Sequence, residues 1–524
     1  VRKNAIIFCF ALVMVLMAGT MVNGLRGRAL KIDKYVSGGR LPGIYPDYSS
    51  TVVPPNIAPL NFMVQEKGND YFARIYSANG DTIEVWSRSS KIVIPPKSWH
   101  DLLGKNKGGE LNFDIFVKTA DSSWVKFDTI TSKIALEDID GYLTYRRMHP
   151  THTATKGRLA ICQRNLGNFD ESVILDNRGA SIQCVNCHSF CENRPDKMLI
   201  GVRGAKKEEA KTLLIDGPTL SKLDTKFGYT SWHPSGKLAV YSINNLPMFF
   251  HTARNEVRDT FDIDSDLAYF DVNSNTVKMP PEISKKDVLE NWPCWSADGN
   301  YLYFCVTTKI PVEHFPPAGY EKVKYDLVRI SYDIEQDKWG ETEMVLSSKE
   351  TGLSIAMPRV SPDGRWLLFC MCEYGYFPTW QQSSDLYIMD LKSADKTGRY
   401  EYRRLDISSD QSESWHCWST NSRWIVFSSK KEQGVFTRCL LSYVDENGKV
   451  YKPLILPQKD PEYYEYCLET FNTPEFVAGP IPVSKDKLMD AVASNKEIHL
   501  KVPIAASKPK LENEQPMGQN PQRE

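Results

Sequence analysis

Cys184-Val185-Asn186-Cys187-His188 sets two thiols three positions apart, with an imidazole directly after the second. This is the attachment pattern of a c-type haem. Both sulfurs can reach the vinyl-derived carbons of one porphyrin edge while the following imidazole ligates the iron. Cys184 and Cys187 are therefore the candidate thioether residues of one haem c, and His188 its candidate axial ligand. Other chemistries use the same atoms. A Cys-x-x-Cys pair beside a βαβ unit supports disulfide exchange, but no such unit surrounds this one. Cys184, Cys187, His188 and Cys191 could form a zinc knot from one short segment. A local disulfide, or plain structural thiols, is the remaining reading.

An iron held by His188 has a second axial position. Met357, His416 and Met198 are the candidates for it, with His149 and His152 next. A thioether there would raise the reduction potential relative to a second imidazole. Each has an ordinary alternative: the methionines as core fillers, His416 as a hydrogen-bonded rim residue. Asp262, Asp264 and Asp266 are spaced like calcium ligands. Leu267 stands where the loop glycine belongs and Asn273 where the closing acid belongs, which favours a solvated acidic turn.

The rest of the chain must position these groups. Arg2 and Lys3 precede an apolar run from Ala5 to Val22, the plan of a secretory signal with cleavage after Gly24. At about 18 residues, residues 5–22 could equally remain as an inner-membrane anchor. Haem attachment in most bacteria requires export, so a periplasmic or periplasm-facing location is expected. The 524 residues carry Lys+Arg 64 against Asp+Glu 65, a net charge of −1, and so make no electrostatic case for nucleic acid. No Gly-rich phosphate loop and no G-x-S-x-G elbow is present, and the balance leans away from an enzyme.

Short runs of Val, Ile, Tyr, Phe and Trp between Gly, Asp, Asn and Pro predict a mostly β protein. Residues 25–48 read as a tether. Residues 49–135 hold about six short strands, with Asn79-Gly80 as a type I′ hairpin turn, and predict a β-sandwich of immunoglobulin or fibronectin type. From residue 136 to 480 the chain repeats itself. Trp232-His233-Pro234-Ser235-Gly236, Trp295-Ser296-Ala297-Asp298-Gly299, Val360-Ser361-Pro362-Asp363-Gly364 and Trp418-Ser419-Thr420-Asn421-Ser422 align without gaps. Each turn leads into an apolar strand, and then into a further strand often led by Asp-Leu. Several strands per unit at near-constant spacing describe a β-propeller, here of six blades.

Pro195–Ile200 echoes the repeat, which places the Cys-x-x-Cys-His segment just ahead of an inner strand, near one mouth of a central channel. Gly157–Leu175 and Tyr466–Val477, from opposite ends, would close the sixth blade. Ser242, Cys305, Cys370 and Ser428 share one repeat position, so Cys305 and Cys370 read as small buried thiols; Cys294 and Cys417 share another and read the same way. Ser484 caps a short helix, and residues 508–524 are polar and read as disordered.

Ser361-Pro362-Asp363-Gly364-Arg365-Trp366-Leu367-Leu368-Phe369 resembles the repeat of TolB-like propellers, the WD-like family of the bacterial envelope. The resemblance covers roughly residues 180–450, and the fourth copy departs from it at Asn421-Ser422. A few exported proteins that join such a propeller to a CxxCH are labelled as related to cytochrome c. The resemblance implies electron transfer or redox sensing with an envelope redox partner. The alternative is a periplasmic protein-binding scaffold without cofactor. A fold hosts many functions, so the site must decide.

Overall fold

The computed structural model describes residues 32–150, 157–178, 182–204, 210–253 and 256–501. Among them six four-stranded antiparallel sheets follow one another, here numbered I to VI. Their innermost strands are Thr470–Val477 (I), Cys184–Phe190 (II), Thr230–Trp232 (III), Val288–Trp295 (IV), Ser354–Val360 (V) and Glu413–Trp418 (VI). Each touches the next, and I touches II, so the strands ring a common axis. This is a β-propeller.

Sheet I is built from both ends: Tyr142–Met148, Leu159–Asn165 and Glu171–Asp176 are joined by Thr470–Val477. The apolar strand after each repeated turn is the second strand of its sheet. The Cys-x-x-Cys-His segment does not lead into an inner strand; it is the inner strand of sheet II. Ser242, Cys305, Cys370 and Ser428 are all buried, as one packed column requires. The fourth copy keeps the turn without glycine: Ser422 takes φ 59°, beside 66°, 75° and 71° at Gly236, Gly299 and Gly364. Gly299 has a further constraint, since a Cβ there would lie 2.3 Å from the His233 ring.

A β-bulge recurs in the inner strands. In sheets I, IV, V and VI two residues oppose one on the second strand, and the first of the two has positive φ: Thr473 49°, Trp292 56°, Met357 56° and Trp415 49°. In sheet II the ladder shifts between Asn186 and His188, so Cys187 holds that backbone position. By the same register His188 is the counterpart of His416.

The preceding domain differs from the expected immunoglobulin plan. Its larger sheet contains two parallel pairings, Val36–Ser37 with Trp124–Lys126 and Val52–Val53 with Ile130–Ile134. A smaller three-stranded sheet packs with it into one core. A helix, Pro96–Lys105, interrupts the strands; Pro96 suits its first turn, and Trp99, Leu102 and Leu103 form one buried face. The tether reading fails for residues 36–45, because Val36–Ser37 and Ile44–Tyr45 are sheet strands. The Asn79-Gly80 turn is also not type I′. Only Gly80 has positive φ, and Asn79 is held by backbone hydrogen bonds to the Asn106 side chain.

The helix after Ser484 is present over Lys485–Ala493, with the Ser484 hydroxyl accepting from the Lys487 amide. No described helix is long and apolar enough to cross a membrane. The calls on residues 1–31 and 508–524 lie outside the described residues, as does His152.

Candidate functional site: the axial channel

The ring of bulges builds the floor of an axial channel. Tyr229, Trp292, Met357, Trp415 and Thr473, one from each of five sheets, line a cavity of about 30 Å³ together with His188 and His416. Tyr229 stacks on Trp292 at 3.6 Å between centroids, and Trp415 meets Trp292 edge-on at 5.3 Å. The structure thus gathers His188, Met357 and His416 at one place. Met198 is not among them. It lies on the second strand of sheet II, fully buried with Ile200 and Val202 in the core between sheets, so its nearness in sequence did not carry it to the axis.

The two repeat-equivalent histidines differ in one respect. His416 is satisfied: its Nε2 lies 3.1 Å from the Leu368 carbonyl and its Nδ1 3.7 Å from the Cys370 sulfur. At the matching places beside His188 stand Thr144 and Arg146 of sheet I. The Thr144 and Thr473 carbonyls bear on the ring, yet neither nitrogen of His188 makes a hydrogen bond of normal geometry. Burial, and then the charge of Arg146, push its pKa down to about 3. A neutral, 4% exposed imidazole, loosely held by two carbonyls, therefore borders the cavity. Trp415 Nε1 and Thr473 Oγ1, also without partners, border it too. Buried polar groups are normally paired, so four such atoms around one small space mark it out.

Met357 is engaged, its sulfur accepting from the Trp415 amide at 3.4 Å. The calcium reading gains no support. Asp262 is buried and takes hydrogen bonds from Ser265 and Tyr325, Asp264 pairs with Lys309, and no metal-holding group of acids, histidines or cysteines occurs among the described residues.

Haem c does not fit this arrangement. Cys184 pairs with Arg203 and His188 with Ile200, three residues apart on the neighbouring strand, so Cys184 and His188 lie on opposite faces of the sheet. The cavity at His188 holds a water molecule or two, not a porphyrin. The residues for attachment are present; the paired strand does not present them to one ligand.

Above the floor the channel widens into a chamber of about 140 Å³. Its wall carries one residue from each sheet at one repeat position near the end of the inner strand: Glu475, Ser189, Ser231, Cys294, Arg359 and Cys417. Cys294 is a buried core thiol and Cys417 packs against the same core, as expected, and both also line the chamber. Burial raises both thiols, Cys417 to about 12. Pro234, Ala297 and Pro362 of the repeated turns edge the chamber, so it opens on their face.

The opposite face is covered. A hairpin of Met248–Phe250 and Arg258–Thr260 projects from sheet III. Its connecting loop reaches sheet VI through Glu256–Lys430 at 2.5 Å, and its second strand reaches sheet V through Asp259 and the Tyr374 hydroxyl at 2.8 Å. Arg258 also donates to the Pro150 carbonyl and lies over the Trp380 ring.

No family model and no curated protein sequence matches the chain. Among solved structures it is similar to a puromycin hydrolase, at 12% identity and TM-score 0.35, over 60% of this chain and 45% of that one. It is also similar to prolyl oligopeptidase B from Galerina marginata, at 11% identity and TM-score 0.34, over 77% and 54%. A luciferin-regenerating enzyme matches at 9% identity and TM-score 0.34, over 61% of this chain and 96% of that chain. The chain thus spans about half the length of the puromycin hydrolase it matches.

Proposed function

We propose that this chain is an exported β-propeller that binds a ligand in its axial channel, entering from the face of the repeated turns. The observation that carries the reading is an axial cavity lined by His188, Trp415 and Thr473, whose buried polar atoms make no hydrogen bond of normal geometry. A ligand or ordered water in hydrogen-bond reach removes the desolvation penalty of those groups, about 1–3 kcal/mol each. The export half rests on the basic and apolar pattern of residues 2–22.

A second reading keeps the haem. The loose engagement of the His188 nitrogens favours it, since those of His416 in the same repeat position are taken up by the Leu368 carbonyl and the Cys370 thiol. It requires the strand Cys184–Phe190 to leave its pairing with Lys197–Arg203. One measurement separates the two. The protein is purified from cells that export it together with haem-maturation machinery, then weighed by mass spectrometry in native and denatured form. A non-covalent ligand lost in His188→Leu supports the channel reading. A covalent addition with a pyridine haemochrome spectrum, lost in Cys184→Ser, supports the haem. Native protein that carries neither overturns both and leaves a cofactor-free scaffold.

A further inference from the structure

The outer chamber holds a separated pair of charges. Arg359 is its sole basic wall residue among the described ones, and it makes no ion pair among them. Its guanidinium borders both the floor cavity and the chamber, against the Cys294 thiol. Glu475 stands on the wall two sheets away. One of its carboxylate oxygens accepts from the Phe190 amide at 3.1 Å, and it has no cationic partner within 4 Å among the described residues. Burial raises the Glu475 carboxyl to about 7, and the charge of Arg359 acts against that rise, so the two share one field without touching.

A guanidinium and a carboxyl in one cleft normally close on each other or bind something in between, because each pays a desolvation penalty otherwise. Here the cyclic frame prevents closure. Arg359 belongs to sheet V and Glu475 to sheet I, with Cys417 of sheet VI between them, and each backbone is fixed in its own ladder. The flanking wall adds short hydroxyl side chains at Ser189 and Ser231, and Trp232, Trp295 and Trp418 bound the chamber with aromatic surface.

We infer that the chamber is a binding site for a small zwitterion of the α-amino-acid class, its carboxylate on Arg359 and its ammonium on Glu475. The inference rests on the axial-channel reading and adds the ligand class. Planar guanidinium matches a carboxylate through two parallel N–H donors, which a lysine would not supply. The chamber volume of about 140 Å³ suits a ligand of a few heavy atoms rather than a peptide chain. Glu192 also borders the chamber, giving the ammonium a second carboxyl on the same side of the opening as Asn193.

The test uses the full chain in calorimetric titration with glycine, alanine and serine, and with acetate and methylammonium as half-ligands. Zwitterions are expected to bind at least tenfold more tightly than either half-ligand. Arg359→Gln and Glu475→Gln are each expected to weaken zwitterion binding at least tenfold, and each variant's melting temperature reports whether it is folded. Absence of zwitterion binding to the folded wild-type protein overturns the inference, as does equal binding by both folded variants. Acetate bound as tightly as alanine would reduce the site to an anion site and overturn it too. A His188-dependent ligand found in the native protein alongside any of these failures leaves the channel reading standing.

Discussion

Two histidines at one repeat position make a controlled comparison within a single molecule. His416 joins the Leu368 carbonyl and the Cys370 thiol, whereas His188 has the Thr144 carbonyl against its ring without a hydrogen bond of normal geometry, and Arg146 where the thiol would be. Replacing His416 by leucine strands a buried carbonyl and is expected to destabilise the protein by about 1–3 kcal/mol. His188→Leu removes an unpaired polar ring and is expected to be neutral or stabilising in ligand-free protein. Urea denaturation of the two variants checks this; equal losses would mean that His188 has a hydrogen-bond partner in solution. The sequence showed the motif, and the repeat alignment brought Met357 and His416 to the axis. It did not show Arg359 or Glu475. Both stand in the column that also holds Cys294 and Cys417; Arg359 directly precedes the third copy at Val360, whereas Glu475 lies outside the four aligned copies and only the sheet register brings it into the column. Cysteine drew the eye there because its chemistry is rare; a lone arginine on a strand reads as an ordinary exposed residue.

At the scale of elements, what repeats was legible and what does not repeat was not. The four turns and their strands follow from local pattern, and so does the Ser484 cap. The hairpin around 248–260 is an insertion within one repeat, and its role comes only from contacts with sheets V and VI. The helix Pro96–Lys105 was missed because it follows directly on a β-rich run, although its proline start and its Trp99, Leu102, Leu103 spacing were there to read. The hairpin is anchored by Lys430, whose side chain is 4% exposed, on Glu256. Glu256→Gln leaves a buried ammonium without its counter-charge and is expected to cost about 3–5 kcal/mol. Adding Lys430→Met should restore most of that loss, because the penalty belongs to the unpaired charge. Thermal melts of the single and double variants decide it; an additive double variant would count against a buried pair.

The whole molecule sums groups that titrate in opposite senses. Burial raises the carboxyls of Asp262, Glu290 and Glu475 to about 7, 8 and 7. Unfolded, such groups ionise near 4, so the folded state keeps protons that the unfolded chain has released. Their contribution is complete below pH ~4 and is lost as pH rises through roughly 7–8. Burial holds His188 and His416 at about 3. Their contribution is complete above the unfolded value of ~6.5 and is lost as pH falls toward about 3. Between these limits the two sets oppose each other and the profile flattens. Above pH ~6.5 the histidines no longer act, and stability is expected to fall toward pH ~8.5 by a few kcal/mol. Glu290→Gln should make that fall shallower. Urea midpoints across the range check the sign, and a midpoint rising above neutrality would refute it.

Sheet I has a consequence for how the molecule is made. Its strand Tyr142–Met148 pairs with Thr470–Val477, so Arg146 meets Asn472 across 326 positions. During synthesis from the N-terminus, three strands of that sheet exist long before the fourth. Through that interval Tyr142–Met148 is an open edge, its amides and carbonyls a template for any extended segment nearby. The last strand to emerge is the one that seals it. A newborn chain is therefore open to mispairing at this edge until Thr470–Val477 arrives, and a holding factor that covers one strand edge would protect it until Val477 is free.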